Sequence, residues 1–137
     1  HGCVEALSDD PRYGAEVRHR MRTLAGAGDL PAGPGVVCAV AGDVEQGARV
    51  RFEFLVEGGS VLEARFRAFG CPHFVASASW LTDRLRGAGR ENLEAWDWRE
   101  AAEALEVPPA KFGRLLTLQD AVREAARNWP GAAQSTV

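Results

Sequence analysis

Two stretches in the middle of the sequence alternate between apolar and charged residues, and a glycine turn joins them. The apolar positions are Val50, Phe52, Phe54 and Val56 in the first stretch and Leu62, Ala64, Phe66 and Ala68 in the second. An alternation with a period of two residues places successive side chains on opposite faces of the chain, which is typical of half-buried strands. Because Glu57-Gly58-Gly59-Ser60 is a tight turn sequence, the two stretches predict an antiparallel hairpin.

A third apolar run precedes the hairpin and is separated from it only by a short turn. The sequence therefore predicts three consecutive antiparallel strands at 36–41, 49–56 and 61–69. Beyond them the apolar spacing changes to that of helices, as at Phe74, Ala78, Leu81 and Leu85. Strands followed by helices, without alternation, predict an α+β fold in which a three-stranded sheet packs against helices. Its predicted core residues include Phe52, Phe54 and Phe66.

The chain has the length of one ordinary domain. We predict a lead-in at 1–12, a single domain at 13–130 and a flexible tail at 131–137. Within the domain, the sequence from Asp97 to Glu100 has the form of a capping box, with an acidic N-cap residue and a glutamate three positions later. This pattern predicts the start of a short helix.

Composition and charge exclude several classes of protein. With 16 basic and 19 acidic residues among 137, the formal net charge is −3, which argues against nucleic-acid binding because such proteins favour a basic surface. No apolar run approaches the roughly 20 residues needed to cross a membrane, and the first residues lack the pattern of a secretory signal.

The cysteines do not form the pattern of a disulfide framework, because their number is odd and they are widely spaced, at Cys3, Cys38 and Cys71. We therefore expect a reduced, cytoplasmic protein.

The segment from Phe69 to His73 carries the strongest chemical signal, and it joins the third predicted strand to a helix. Proline fits best at the first helical position because its missing N–H has no partner there, so Pro72 predicts that Cys71 is the N-cap residue. A thiol at that position lies beside unpaired amide groups and the positive end of the helix dipole, which favour the thiolate. The thiolate is the form that binds metal or attacks sulfur. The competing interpretation is a small buried residue at a tight corner.

The remaining candidates carry weaker signals. His73 is interpreted either as a ligand or proton carrier of the same site or, more simply, as a surface residue of a first helical turn. Cys38 lies in the first strand and is interpreted mainly as a small buried residue, and Cys3 as incidental. Ser77 and Ser79 lack the surroundings of a catalytic nucleophile, and the sequence contains no CxxC, HExxH or glycine-rich phosphate motif. The residues alone predict an α+β domain with one activated thiol.

Two segments carry a resemblance to a known family. The first runs Leu62-Glu63-Ala64-Arg65-Phe66-Arg67-Ala68-Phe69-Gly70-Cys71 and continues with Ala76-Ser77-Ala78-Ser79. The second is Val107-Pro108-Pro109-Ala110-Lys111, which contains the only lysine of the chain. Over residues 13–129 the chain resembles the IscU/NifU-type scaffold proteins of iron–sulfur cluster assembly. The resemblance implies the SufE/NifU-like fold of that family and a scaffold or carrier rather than an enzyme.

The family holds its cluster with three cysteines and a nearby aspartate, and the resemblance assigns the second cysteine to Cys71 and the aspartate to Asp43. The first family cysteine directly precedes a Gly-Asp pair, where this chain has Ala41. Cys38 matches that cysteine only if the strand has shifted, and counting back from the second strand places Gln46 near the ligand position instead. Both alignments leave the first ligand position without a cysteine.

The third family cysteine follows a histidine, and here Gly113 and Arg114 occupy those two positions. A [2Fe–2S] cluster is normally held by four protein ligands, and tetrahedral zinc, the alternative metal, makes the same demand. Four ligands are available only if the geometry brings together Cys71, Asp43, Cys38 and His73. The charge of Arg114 repels a metal cation, favours a Cys71 thiolate and attracts an anion. We therefore expect a labile cluster or none.

The resemblance implies a scaffold-like protein that accepts sulfur, iron or both at a site built around Cys71. Two alternatives are a binding or regulatory module that has lost cluster chemistry and a single-cysteine sulfur carrier. The implied partners are a cysteine desulfurase, apo iron–sulfur proteins, and a DnaK-type (Hsp70) chaperone with its co-chaperone. The segment that such a chaperone recognises in the family corresponds to 107–111, so Pro108, Pro109 and Lys111 should lie at an exposed helix start. Neither nucleic acid nor a membrane is an expected partner.

Overall fold

The computed structural model describes residues 12–131. Most of the predicted lead-in and of the predicted tail therefore lies outside the described residues. The elements are α1 (Ala15–Thr23), β1 (Val36–Asp43), β2 (Ala48–Glu57), β3 (Ser60–Phe69), α2 (Pro72–Arg84), α3 (Arg90–Glu94), α4 (Arg99–Ala104) and α5 (Phe112–Arg127), with short 3₁₀ turns at Val44–Gln46 and Pro109–Lys111. Among the described residues, no helix is long and apolar enough to cross a membrane.

The three strands form one antiparallel sheet in the order β1-β2-β3. This confirms the predicted fold class and the predicted order of strands and helices. The alternating pattern places Phe52 opposite Ala39 on one side and opposite Phe66 on the other. Phe52 and Phe54 are fully buried, and only 3% of Phe66 is exposed, so the three predicted core rings lie in the core.

The helices cover one face of the sheet. α5 packs on β1 and β2, α2 packs on β3, and α1 packs on α2. The helical side chains that are completely buried there include Phe74, Ala78, Leu81, Leu115, Leu118, Ala121, Val122 and Ala125. Burying a large aliphatic or aromatic side chain contributes about 1.5–3 kcal/mol, and this apolar layer fixes the start of α2 and of α5 against the sheet.

The opposite face of the sheet carries arginines that pair with carboxylates. Arg51 donates to Glu53 at 2.6 Å, and Arg67 donates to Asp29 at 2.8 Å. Glu53 also accepts a hydrogen bond of 2.6 Å from the backbone N–H of Leu30. The loop between α1 and β1 is thereby held against this face, which explains why Glu53 is buried although it lies on the polar side of the hairpin.

The predicted capping box at the start of α4 is wrong. Asp97 accepts a hydrogen bond of 2.8 Å from the backbone N–H of Arg99, but Glu100 does not turn back to its own helix start. Its carboxylate instead accepts from the indole of Trp96 and from the guanidinium of Arg84, each at 2.9 Å. A contact with α2 therefore takes the side chain that the local sequence pattern assigned to the cap.

Candidate functional site

Cys71 is the N-cap residue of α2, and Pro72 is the first residue of that helix, as the sequence predicts. The backbone of Cys71 is extended, and its side chain makes no capping hydrogen bond. The thiol is free and partly buried, and it packs beside the core. The first turn of α2 therefore presents backbone N–H groups next to a thiol that solvent still reaches.

Gly70 permits the tight corner between β3 and α2. A Cβ atom at this position would lie 2.7 Å from Cδ2 of Phe74 and 3.3 Å from the carbonyl oxygen of Gly47. The corner thus lies directly against the β1–β2 turn. This close approach brings the element that carries Cys71 to the same end of the sheet as the turn that carries Asp43.

Asp43 does not turn toward Cys71 in the described contacts. Its Oδ1 atom accepts a hydrogen bond of 2.8 Å from the backbone N–H of Glu45 and caps the short 3₁₀ turn that follows β1. Gly42, directly before it, has φ +91°, and a Cβ there would collide with the carbonyl oxygen of Ala48. The Gly-Asp pair is accounted for by the shape of this turn.

Arg114 reaches the β1–β2 turn from the first turn of α5. Its Nη1 atom donates to the carbonyl oxygen of Gln46 at 2.8 Å, and a Cβ at Gly47 would lie 3.1 Å from its Nη2 atom. Gly47 therefore contacts Arg114 on one side and Gly70 on the other. The guanidinium lies at the end of the sheet that carries the β1–β2 turn. Gly47 lies next to the guanidinium and next to the corner that holds Cys71.

A cavity of about 370 Å³ lies between the β1–β2 turn and the start of α5. Its lining residues are Gly42, Gln46, Ala48, Ala110, Gly113, Arg114 and Thr117. Arg114 is the one charged residue among them. Sequence reasoning identified Gly113 and Arg114 but missed Thr117, whose spacing of three residues from Arg114 on α5 is the only signal that they share a face.

His73 is buried in the first turn of α2. Its ring contacts that of Tyr13, with 5.0 Å between the ring centroids. Burial, and then the positive charge of Lys111, lowers the pKa of His73. The imidazole is accordingly neutral near pH 7, and its described ring contact is with Tyr13 rather than with Cys71.

Cys38 lies far from the end of the sheet that carries Cys71. It pairs with Glu53 in the middle of β1 and β2 and is partly buried on the face opposite the helices. Within residues 12–131, no group of three or more His, Cys, Asp or Glu side chains could hold a metal ion. The structure therefore does not assemble Cys71, Asp43, Cys38 and His73 into one ligand cluster.

The segment from Val107 to Lys111 leads into α5 through a 3₁₀ turn. Val107 is buried, whereas Pro108, Pro109 and Ala110 are exposed and Lys111 is half-buried. The buried valine anchors the segment, and the prolines after it stand in solvent. The two prolines therefore occupy an exposed helix start, while Lys111 is partly covered.

An aromatic cluster that the sequence did not predict lies beside this segment. The rings of Trp98 and Phe112 contact each other with 4.7 Å between their centroids, and the Arg99 guanidinium lies 4.8 Å from the centroid of the Trp98 ring. The two aromatic residues are fourteen positions apart, so no local pattern predicts the contact.

Comparison with known protein families gives one match over most of the chain. The model of the NifU-like N-terminal domain matches residues 19–136. An iron–sulfur cluster assembly scaffold protein IscU from Azotobacter vinelandii is 33% identical over 105 residues, which cover 75% of this chain and 78% of that protein. An iron–sulfur cluster assembly protein IscU from Plasmodium falciparum is 28% identical over 91 residues, which cover 66% of this chain but only 56% of that protein.

Solved structures share the fold at low sequence identity. FiSufU of Fervidobacterium islandicum superposes with a TM-score of 0.65 at 14% identity, covering 83% of this chain and 96% of that one. The N-terminal part of a NifU-like protein from Brucella abortus gives a TM-score of 0.51 at 18% identity, covering 91% and 85%. These similarities place the three-stranded sheet and its helices in a known architecture.

Proposed function

Because the chain belongs to the NifU-like N-terminal domain family, we propose that it is a scaffold-type protein of iron–sulfur cluster assembly that accepts sulfur on Cys71. The support from sequence is its identity of 33% with a relative that is named as such a scaffold. It acts as a carrier in the cytoplasm rather than as an enzyme that turns over a small substrate.

The observation that carries this proposal is the position of Cys71. Its thiol lies at the N-terminus of a helix of 13 residues and is partly accessible. The thiol makes no described hydrogen bond that caps the helix. Backbone N–H groups and the helix dipole stabilise negative charge at such a position. The thiolate is the reactive form of a cysteine in sulfur transfer.

The transfer itself needs no external oxidant or reductant. The Cys71 thiolate attacks the outer sulfur of a persulfide on a donor protein, which forms a new S–S bond at Cys71 and breaks the S–S bond of the donor. The donor cysteine leaves as a thiolate, and the proton of its persulfide stays with the transferred sulfur or passes to solvent. A cysteine desulfurase is the donor class that fits this step.

The side chains of this domain do not fit a cluster held by four protein ligands. Ala41 has no ligand atom, and Arg114 is a cation. Among the described residues, no three His, Cys, Asp or Glu side chains lie close enough together to hold a metal ion. Iron brought to Cys71 would need ligands from outside this domain, such as the thiols of a recipient apo protein. We therefore propose that the domain accepts sulfur and holds at most a labile cluster. A zinc ion, which also needs four ligands, would lack the same ligands.

Sulfane-sulfur labelling tests the proposal directly. The full chain is incubated with a cysteine desulfurase and ³⁵S-cysteine, and the labelled peptides are identified after alkylation without reductant. We expect label on Cys71 in the wild-type chain and in Cys38→Ser, the matched control, and none in Cys71→Ser. Label on Cys38 alone, or none on a folded wild-type chain, would favour the binding module.

The exposed Pro108 and Pro109 support a second part of the proposal, which is recognition by a DnaK-type chaperone and its co-chaperone. A peptide spanning Glu106 to Phe112 should bind the scaffold-specific Hsp70 of the source organism more tightly than a scrambled peptide. In the full chain, Pro109→Ala should weaken that binding while sulfur labelling of Cys71 persists. Equal binding of the two peptides would remove the chaperone from the proposal.

A further inference from the structure

The cavity between the β1–β2 turn and α5 has the chemistry of an anion site. Its one charged lining residue is Arg114, and the other polar side chains in its lining are those of Gln46 and Thr117. No carboxylate is among the described residues that line it. A concave site with a single positive charge and neutral hydrogen-bonding groups favours a negatively charged ligand.

The guanidinium of Arg114 has hydrogen-bonding capacity to spare. Its one described hydrogen bond runs from Nη1 to the carbonyl oxygen of Gln46, which fixes the side chain across the turn. The remaining N–H groups of the fork are unused by described protein acceptors. A planar guanidinium held in this way is suited to paired hydrogen bonds with the oxygens of an oxyanion.

Thr117 adds a neutral donor close to Arg114. Its Cγ2 atom would lie 2.9 Å from a Cβ at Gly42, so the glycine in the turn is what lets α5 approach this closely. No described hydrogen bond uses the hydroxyl of Thr117. The hydroxyl is therefore free to donate to a ligand in the cavity.

Two carboxylates lie near the cavity but outside its lining. Asp43 is directed to the backbone N–H of Glu45, and Glu45 precedes the lining residue Gln46. Lys111 follows the lining residue Ala110 and is half-buried. The first turn of α5, which carries Arg114, adds further to the attraction of an anion.

We propose that this cavity binds a small oxyanion, held by Arg114 and Thr117. A volume of about 370 Å³ is at the small end for ligand sites, so it suits phosphate, thiosulfate or a small metabolite that carries such a group. The proposal is independent of sulfur chemistry at Cys71, because Cys71 does not line the cavity.

Binding is measured with the full ¹⁵N-labelled chain by following backbone amide shifts. Potassium phosphate and potassium thiosulfate are each exchanged against potassium chloride at constant ionic strength. We expect saturable shifts at Gly42, Gly113 and Thr117 with at least one of the two oxyanions, and the tighter of the two identifies the ligand source. Absence of saturation with both would overturn the proposal.

Matched variants separate specific binding from charge screening. Arg114→Gln should weaken the affinity by about tenfold or more because it removes charged hydrogen bonds, and Thr117→Val should weaken it less. Arg127→Gln, an exposed change on the same helix, should leave it unchanged. Equal loss in the Arg114 and Arg127 variants, or no loss in a folded Arg114→Gln chain, would contradict the site.

Discussion

At the scale of single residues, two positions decide what this domain can do with a metal. Arg114 stands where the resemblance to the family places its third cysteine, and Ala41, or Gln46 in the second alignment, stands where it places the first. An alanine offers no ligand atom, and an arginine offers only donors and positive charge. Within residues 12–131, Cys71 is thereby left outside any group of potential metal ligands, which is compatible with carrying sulfur and unfavourable for holding iron.

Restoring the two cysteines should restore cluster binding. We expect anaerobic reconstitution of the wild-type chain with iron and sulfide to give a labile cluster or none, measured by absorbance and iron content after desalting. Arg114→Cys should increase retention, and Ala41→Cys combined with Arg114→Cys should increase it further, because each change adds a thiolate ligand. A stable, stoichiometric cluster in the wild-type chain would mean that other residues act as ligands.

His73 should make stability depend on pH. Its pKa is lowered by burial and by Lys111, so the unfolded chain takes up the proton more readily than the folded one. The contribution of His73 to stability is fully present above about pH 6.5, its pKa in the unfolded chain, and is lost as the pH falls from there toward the lower pKa of the folded state.

Urea unfolding at pH 7.5 and pH 5.5 measures this effect. His73→Gln should reduce the loss of unfolding free energy between the two pH values, and His19→Gln, at an exposed position, is the matched control. An identical pH dependence in wild-type and His73→Gln chains would show that His73 is as easily protonated in the fold as out of it.

At the scale of elements, the strands were predictable and the loop before them was not. The alternation of apolar and charged residues can be recognised from the local sequence alone. It correctly predicts that Phe52 and Phe66 are buried, because each strand buries one face. The loop between α1 and β1 contains no periodic pattern, and partners distant in sequence hold it on the sheet, among them Glu53 for Leu30 and Arg67 for Asp29. The predicted cap at Glu100 failed for the same reason, since a partner distant in sequence, Arg84, competes for the side chain.

The hairpin should depend strongly on its buried ring in β3. Phe66 is 3% exposed and faces Phe52 across the β2–β3 pair. Phe66→Ala should lower the free energy of unfolding by about 3–5 kcal/mol, because it removes buried surface and leaves a cavity. Phe69→Ala, at a position that is 53% exposed at the end of the same strand, is the control and should cost much less.

At the scale of the whole molecule, the site is an end of the sheet where three chain segments meet. Gly47 contacts Arg114 from α5 and lies beside Gly70 at the corner that leads to Cys71. The sequence predicted Cys71 as a helix N-cap from Pro72 alone, which is a local signal. It did not predict that Asp43 caps its own turn or that Arg114 binds the carbonyl of Gln46, because these partners depend on how the segments pack.

The central claim is that Cys71 is the reactive thiol of this fold, and its reaction rate tests that claim most directly. In a Cys3→Ser background, which leaves two thiols, the rate of reaction with a soluble disulfide probe is measured site by site from pH 6 to pH 9 by mass spectrometry. Cys71 should react faster than Cys38 near neutral pH, and urea should reduce the difference because unfolding removes the helix end. A Cys71 thiol that reacts no faster than Cys38 in the folded chain would contradict the account.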